Sequence, residues 1–100
     1  MALSELTKQP QESRLYNFDF ANLLLDGATL AGVVSVTQAR AGQVAGSADC
    51  SLGPAVLASP VVQVRIGDGT DRERYKLTAL ATDSAGNRLE CEGWLNVREI

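Results

Sequence analysis

Residues 74–98 read RYKLTALATDSAGNRLECEGWLNVR. Tyr75, Leu77, Ala79 and Ala81 alternate with Lys76, Thr78, Leu80 and Thr82. This is the period of two that turns successive side chains to opposite faces of a half-buried strand. Asp83-Ser84-Ala85-Gly86-Asn87 supplies a turn, and from Arg88 the chain returns with Leu89, Cys91, Leu95 and Val97 inward. The hairpin commits the chain to antiparallel β structure.

Upstream, residues 67–73 form a polar, glycine-bearing turn, and before it Val62, Val64 and Ile66 share one face while Gln63 and Arg65 take the other. Residues 14–20 alternate again, with Tyr16, Phe18 and Phe20 expected in the core and Leu15, Asn17 and Asp19 outside. Residues 21–25 read as a short helical turn before the turn pair Asp26-Gly27. In the strand after it, residues 29–38, Leu30, Gly32, Val34 and Val36 fall on one face. Pro54 and Pro60 bracket an edge segment, since proline cannot donate to a central ladder. Residues 39–53 are rich in alanine, glycine and serine and fit a long loop or two thin edge strands. Short strands at roughly ten-residue spacing, with no helical period, predict an all-β antiparallel sandwich of about six to eight strands.

Residues 1–13 are polar, carry Pro10 and lack periodicity. They read as an extended N-terminal arm that is ordered only if it docks, with residues 14–100 as the sandwich domain. Tyr75 stands two residues before Leu77 at the start of the penultimate strand, the place of a tyrosine corner, although an ordinary core tyrosine fits as well. Trp94 is out of phase with Leu95 and Val97, so an immunoglobulin-type core tryptophan on a disulfide is not supported. It shares a face with Glu90, Glu92, Asn96 and Arg98. Either Gly93 hosts a bulge that turns the indole inward, or the ring anchors a partner.

Composition narrows the function. The chain has 100 residues, 45% hydrophobic, 21% charged and 5% aromatic, which fits one globular domain with a core of valine, leucine and alanine. Twelve acids against nine scattered bases leave a net charge of −3, the wrong sign for a phosphate-dominated partner. Histidine is absent, which removes the usual general base and the commonest metal ligand. Cys50 and Cys91 lie in no CxxC context, and Glu5 and Lys8 interrupt any secretory apolar run, so reduced thiols are expected. No apolar run approaches the roughly 20 residues of a membrane span. Asp68, Asp71 and Glu73, with Asp26 or Asp83, could offer calcium hard oxygen ligands, but the spacing departs from the calcium-loop order and suits solvated turn carboxylates. No carboxylate pair stands out for acid and base work. The expectation is a protein that is not an enzyme and needs no cofactor, metal, nucleic acid, membrane or small-molecule substrate.

The run from Lys8 to Phe20, KQPQESRLYNFDF, and the later LLDGATL from Leu24 resemble the opening of small tailed-bacteriophage proteins with K-x-P-x-E-x-x-x-Y-x-x-D-F followed by a W/L-L-x-x-G-x-T-I segment. Residues 61–67, Gly69-Thr70 and Arg74-Tyr75-Lys76-Leu77-Thr78 are similar to that family's V-x-V-W-L-x-G-G-T-x-G-T-x-Y-x-V-T block. Ala85-Gly86-Asn87-Arg88 and Leu95-Asn96-Val97-Arg98-Glu99 are similar to its closing A-x-G-R and L-x-V-R-E. Ile66-Gly67-Asp68-Gly69 departs from its W-L-x-G-G, and Gly93 stands where phenylalanine is common. The family is that of the phage fibre-tail adaptors.

The resemblance implies an immunoglobulin-like sandwich and a structural virion protein of the neck or tail, assembled in the host cytoplasm as a ring-forming homo-oligomer that contacts other neck, tail or fibre proteins. It implies no catalytic residue. The partner-binding candidates are Leu6, Lys8 and Pro10 in the arm, Trp94, and Asp68, Thr70, Asp71 and Arg72 in the polar turn. An immunoglobulin-like module for a glycan or a cell-surface protein is the alternative, although exposed aromatics are few.

Overall fold

The computed structural model describes residues 4–25, 27–42 and 44–99. Eight strands follow in chain order: β1 (Ser4–Lys8), β2 (Arg14–Asp19), β3 (Leu30–Arg40), β4 (Cys50–Leu52), β5 (Val56–Ala58), β6 (Val61–Asp68), β7 (Arg74–Asp83) and β8 (Arg88–Val97). A single 3-10 turn, Ala21–Leu23, occupies the expected helical turn. Asp26, expected in the next turn, lies outside the described residues.

Two sheets face each other. One has the order β1-β8-β7-β3 and the other β2-β6-β4, with β5 also on β6. In immunoglobulin lettering β2, β6 and β4 stand as B, E and D, and β3, β7 and β8 as C, F and G. The core lies between them, where the inward positions of β2, β6, β7 and β8 meet: Phe18, Val62, Val64, Ile66, Leu77, Ala79, Ala81, Leu95 and Val97 are all buried to within 1%. The period-two reading of these four strands holds residue by residue.

The β7–β8 hairpin pairs without a slip from Arg74↔Asn96 to Thr82↔Arg88. Its turn is built by one carboxylate: Asp83 accepts from the amides of Ala85 (3.0 Å) and Asn87 (2.8 Å) and from the Asn87 side chain (3.2 Å), while Gly86 takes φ +89°. Side-chain bonds of this kind are why aspartate and asparagine favour turns. Gly93 is regular and carries no bulge. It faces the interior, where a Cβ would overlap the Tyr16 hydroxyl on the opposite sheet. Trp94 therefore stays on the outer face, and the bulge alternative is corrected.

Three further departures have physical causes. Leu30, Gly32, Val34 and Val36 do not share a face, because β3 slips register between Leu30 and Gly32 and again between Val33 and Ser35. Each extra residue reverses the pleat, so Val33 and Val36 pack on the core while Val34 is 46% exposed. Residues 39–53 are neither one long loop nor two thin strands: β3 runs on to Arg40, and one thin strand, β4, begins at Cys50. The connection is held by Glu73, a buried acid whose carboxylate bonds Ser47 and the amides of Arg74 and Gly42 and sits below the usual carboxylate range, with the Ser47 bond as the largest cause.

The third departure is the expected arm. Its residues Ser4–Lys8 form an edge strand, with β1 running parallel to β8 in the register Ser4↔Gly93 to Lys8↔Val97, and only residues 9–13 of the described arm lie outside a strand. Leu6 packs on the core opposite Leu95, which gives the segment an apolar anchor that a reading of its polarity overlooks. Cys50 and Cys91 are buried free thiols. Burial pushes Cys50 up to about 11 and raises Cys91 as well.

Candidate functional site

The surface features cluster in three places. The first is the outer face of the sheet that contains Trp94. Register sets Glu5 beside Trp94 on β1 and Lys76 beside it on β7. The Arg74 guanidinium lies over the indole at 3.9 Å from the ring centroid and also reaches Glu5 at 2.8 Å. Next along the face, Lys76 pairs with Glu92 at 2.8 Å; the hydrogen bond to that carboxylate raises the Lys76 pKa. An arginine on an indole joins cation–π attraction to a large apolar contact. The result is a half-buried aromatic platform rimmed by charges of both signs.

The second place is the end of the sandwich where residues 67–73 fold back. Tyr75 fixes this loop: its hydroxyl donates to the Ala48 carbonyl at 2.5 Å and accepts from the Thr70 amide at 2.9 Å. The second bond runs five residues upstream, as a tyrosine corner does. Thr70 spends its hydroxyl on the Ala48 amide at 2.9 Å, and Asp71 accepts from the Glu99 amide at 2.8 Å. Asp68 and Arg72 adopt positive φ, +59° and +69°, and both are exposed. The end of β1 joins the same region, since the Arg98 amide donates to the Lys8 carbonyl and the Arg72 amide to that of Val97.

Lys8 is 1% exposed, and its ammonium donates to the carbonyls of Gln9 (2.8 Å) and Pro10 (3.3 Å). Burial pulls its pKa below the ordinary lysine value, against the pull of the Cys50 thiol, Asp68 and Glu12. Leu6 and Lys8 thus point inward, Pro10 is half-buried, and Asp68 and Arg72 are open to solvent. Trp94 stands three residues back along β8 from Val97, about 10 Å from this end. The structure gathers the end of β1 and the 67–73 loop, and sets Trp94 apart on the adjoining face.

A third feature went unread. On the outer face of the other sheet, a groove of about 480 Å³ runs between Leu15, Pro54 and Val56, rimmed by Glu12, Arg65 and Asp68. Leu15 and Val56 are 51% and 56% exposed. The alternation of residues 14–20 places Leu15 outside but not near Val56, because the two line one groove only through the pairing of β2 and β5 with opposite sides of β6. Arg74 was missed for a related reason. Its neighbourhood with Trp94 follows from the hairpin register, in which paired numbers sum to 170, and a count across the 83–87 turn finds it.

The buried acids, Glu73 and Asp83, hold their own loops. Among the described residues no three His, Cys, Asp or Glu side chains gather as metal ligands, and no helix is long and apolar enough to cross a membrane. The surface presents an aromatic platform, a loop tied by Tyr75 and an apolar groove.

A family model described as podophage GP4 fiber-tail adaptor protein gp77 matches residues 8–96. The chain belongs to this family. Membership makes it a structural component of a podophage tail, and the resemblance seen in the ordered motifs is borne out. No curated protein matches the chain. In this fibre-tail adaptor the motif residues Tyr75 and Gly69 serve the fold: Tyr75 ties the loop, and a Cβ at Gly69 would press on Val97 and on the Cys50 sulfur.

Proposed function

We propose that this adaptor links tail and fibre chains by protein contacts, with Trp94 and its Arg74 and Glu5 rim as the anchor and exposed residues of the 67–73 loop as a second contact. Several copies assemble around the tail axis in the host cytoplasm and remain in the virion. The observation that carries the reading is the family match across nearly the whole chain. The assignment to this face is supported by chemistry: a half-buried tryptophan under an arginine combines two of the residue types enriched in interface hot spots.

The test is a phage carrying Trp94→Ala, with adaptor and fibre copies per particle counted by quantitative mass spectrometry. Loss of fibres, or of the adaptor itself, from particles that keep their tails is expected. Because the indole lies on the outer face, the purified variant should keep its cooperative melting. Particles with wild-type adaptor and fibre content would place the contact elsewhere.

A further inference from the structure

Among the described residues, two besides glycine hold positive φ: Asp68 at +59° and Arg72 at +69°, both in the 67–73 loop. Aspartate visits this region readily, because its short carboxylate bonds nearby backbone. Arginine has no such local bond, and the left-handed backbone is strained for it. The surroundings impose the conformation. Thr70 is held by the Tyr75 hydroxyl and the Ala48 amide, and Asp71 by the Glu99 amide. The Arg72 amide donates to the Val97 carbonyl at 2.7 Å, and the Glu73 amide closes back on the Thr70 carbonyl at 3.0 Å. Strain of this kind persists only where neighbours over-determine the backbone, and it gathers at ligand contacts.

Nothing inside the chain accounts for the side chain, which is 81% exposed. Its Nε lies 4.0 Å from the Asp71 carboxylate, beyond hydrogen-bond reach, and the other oxygen of that carboxylate accepts the Glu99 amide. Other guanidinium groups are engaged at home: Arg40 on the Ser47 carbonyl, Arg65 on that of Ser13, and Arg74 on Glu5 and Trp94. Glycine would make every backbone bond of this position without strain. The arginine therefore serves a group outside the chain.

We propose that Arg72 is a fixed cationic contact that takes an aspartate or glutamate carboxylate of the tail chain on which this adaptor docks. The inference rests on the adaptor reading and gives its loop contact a partner chemistry. A guanidinium presents a planar fork of donors that meets a carboxylate in two parallel bonds. The backbone beneath it is already held on both sides, so less freedom is lost on binding than at a mobile loop.

The test is a set of phages carrying Arg72→Gly, Arg72→Ala or Arg72→Glu, with adaptor copies per particle counted by quantitative mass spectrometry and each purified adaptor melted. Arg72→Gly should melt at or a few degrees above wild type, yet its particles should hold about tenfold fewer adaptors or less, the loss of a charge-assisted pair. Arg72→Ala should lose as many without the gain in stability, since it keeps the strain. Arg72→Glu sets carboxylate against carboxylate and should lose at least as many as Arg72→Gly. Glycine-variant particles as full as wild type overturn the proposal, as does a glycine variant that melts below wild type. Arg72→Glu particles fuller than those of Arg72→Gly would exclude a carboxylate partner. Wild-type particles without the adaptor would overturn the adaptor reading itself, whereas full wild-type and full variant particles overturn this inference alone.

Discussion

Tyr75 and Gly93 show how single side chains decide local structure here. Tyr75→Phe would leave the Ala48 carbonyl and the Thr70 amide without the hydroxyl that joins them. Orphaning partly buried backbone groups costs about 1–3 kcal/mol, and the expected outcome is a melting temperature lower by about 5 to 15 °C. A change near zero would mean that the loop is held by its turns. At Gly93 the interior is full: an added methyl meets the Tyr16 hydroxyl and ring carbon. Gly93→Ala should cost about 1–3 kcal/mol in urea unfolding, the usual range for overpacking. Adding Tyr16→Phe should recover part of that loss, because it removes the nearest clashing atom.

At the scale of elements, the hairpin turn and the 41–49 connection depend on carboxylates. Asp83 is held below its ordinary value of 3.8, first by the Asn87 amide, and Glu73 below 4.5, first by Ser47. A group with a depressed folded pKa contributes stability that is fully present above its unfolded value and is lost as pH falls through the folded one. Stability of the chain should therefore hold above about pH 4.5 and decline below about pH 4, measured by urea midpoints across that range. Asp83→Asn should lower the neutral-pH midpoint and flatten the acid limb; an unchanged acid limb would remove Asp83 from the account. The strand β1 depends on Leu6 instead. Leu6→Ala should cost about 1–2 kcal/mol, a partial share of a buried leucine, and should speed amide exchange at the β8 edge it covers.

Over the whole molecule, both thiols report on global opening. Cys50 and Cys91 are buried, and burial raises their pKa values, so neither offers an accessible thiolate near neutral pH. Labelling by an aromatic disulfide reagent at pH 8 should be slow and should accelerate with urea in parallel with unfolding. Rapid stoichiometric labelling of the native protein would show that the end of the sandwich near Cys50 opens by itself.

The alternation in residues 14–20, 61–66 and 74–98 determined by itself that the chain is a β-sandwich and which side chains fill it, because a strand with one buried face must obey period two. The turn chemistry of Asp83 and Gly86 was legible for a similar reason: local bonds need only local sequence. Tertiary structure decided the rest. The bulges of β3 depend on its partner and reverse the phase of Val33 and Val34, and the place of residues 4–8 depends on an open β8 edge to receive them. The apposition of Arg74 to Trp94, and the groove that Leu15 and Val56 line from opposite sides of β6, arise from strand pairing alone. Function followed the same division. Ordered motifs along the chain pointed to the adaptor family, whereas the surfaces it presents arise from register, which no single strand contains.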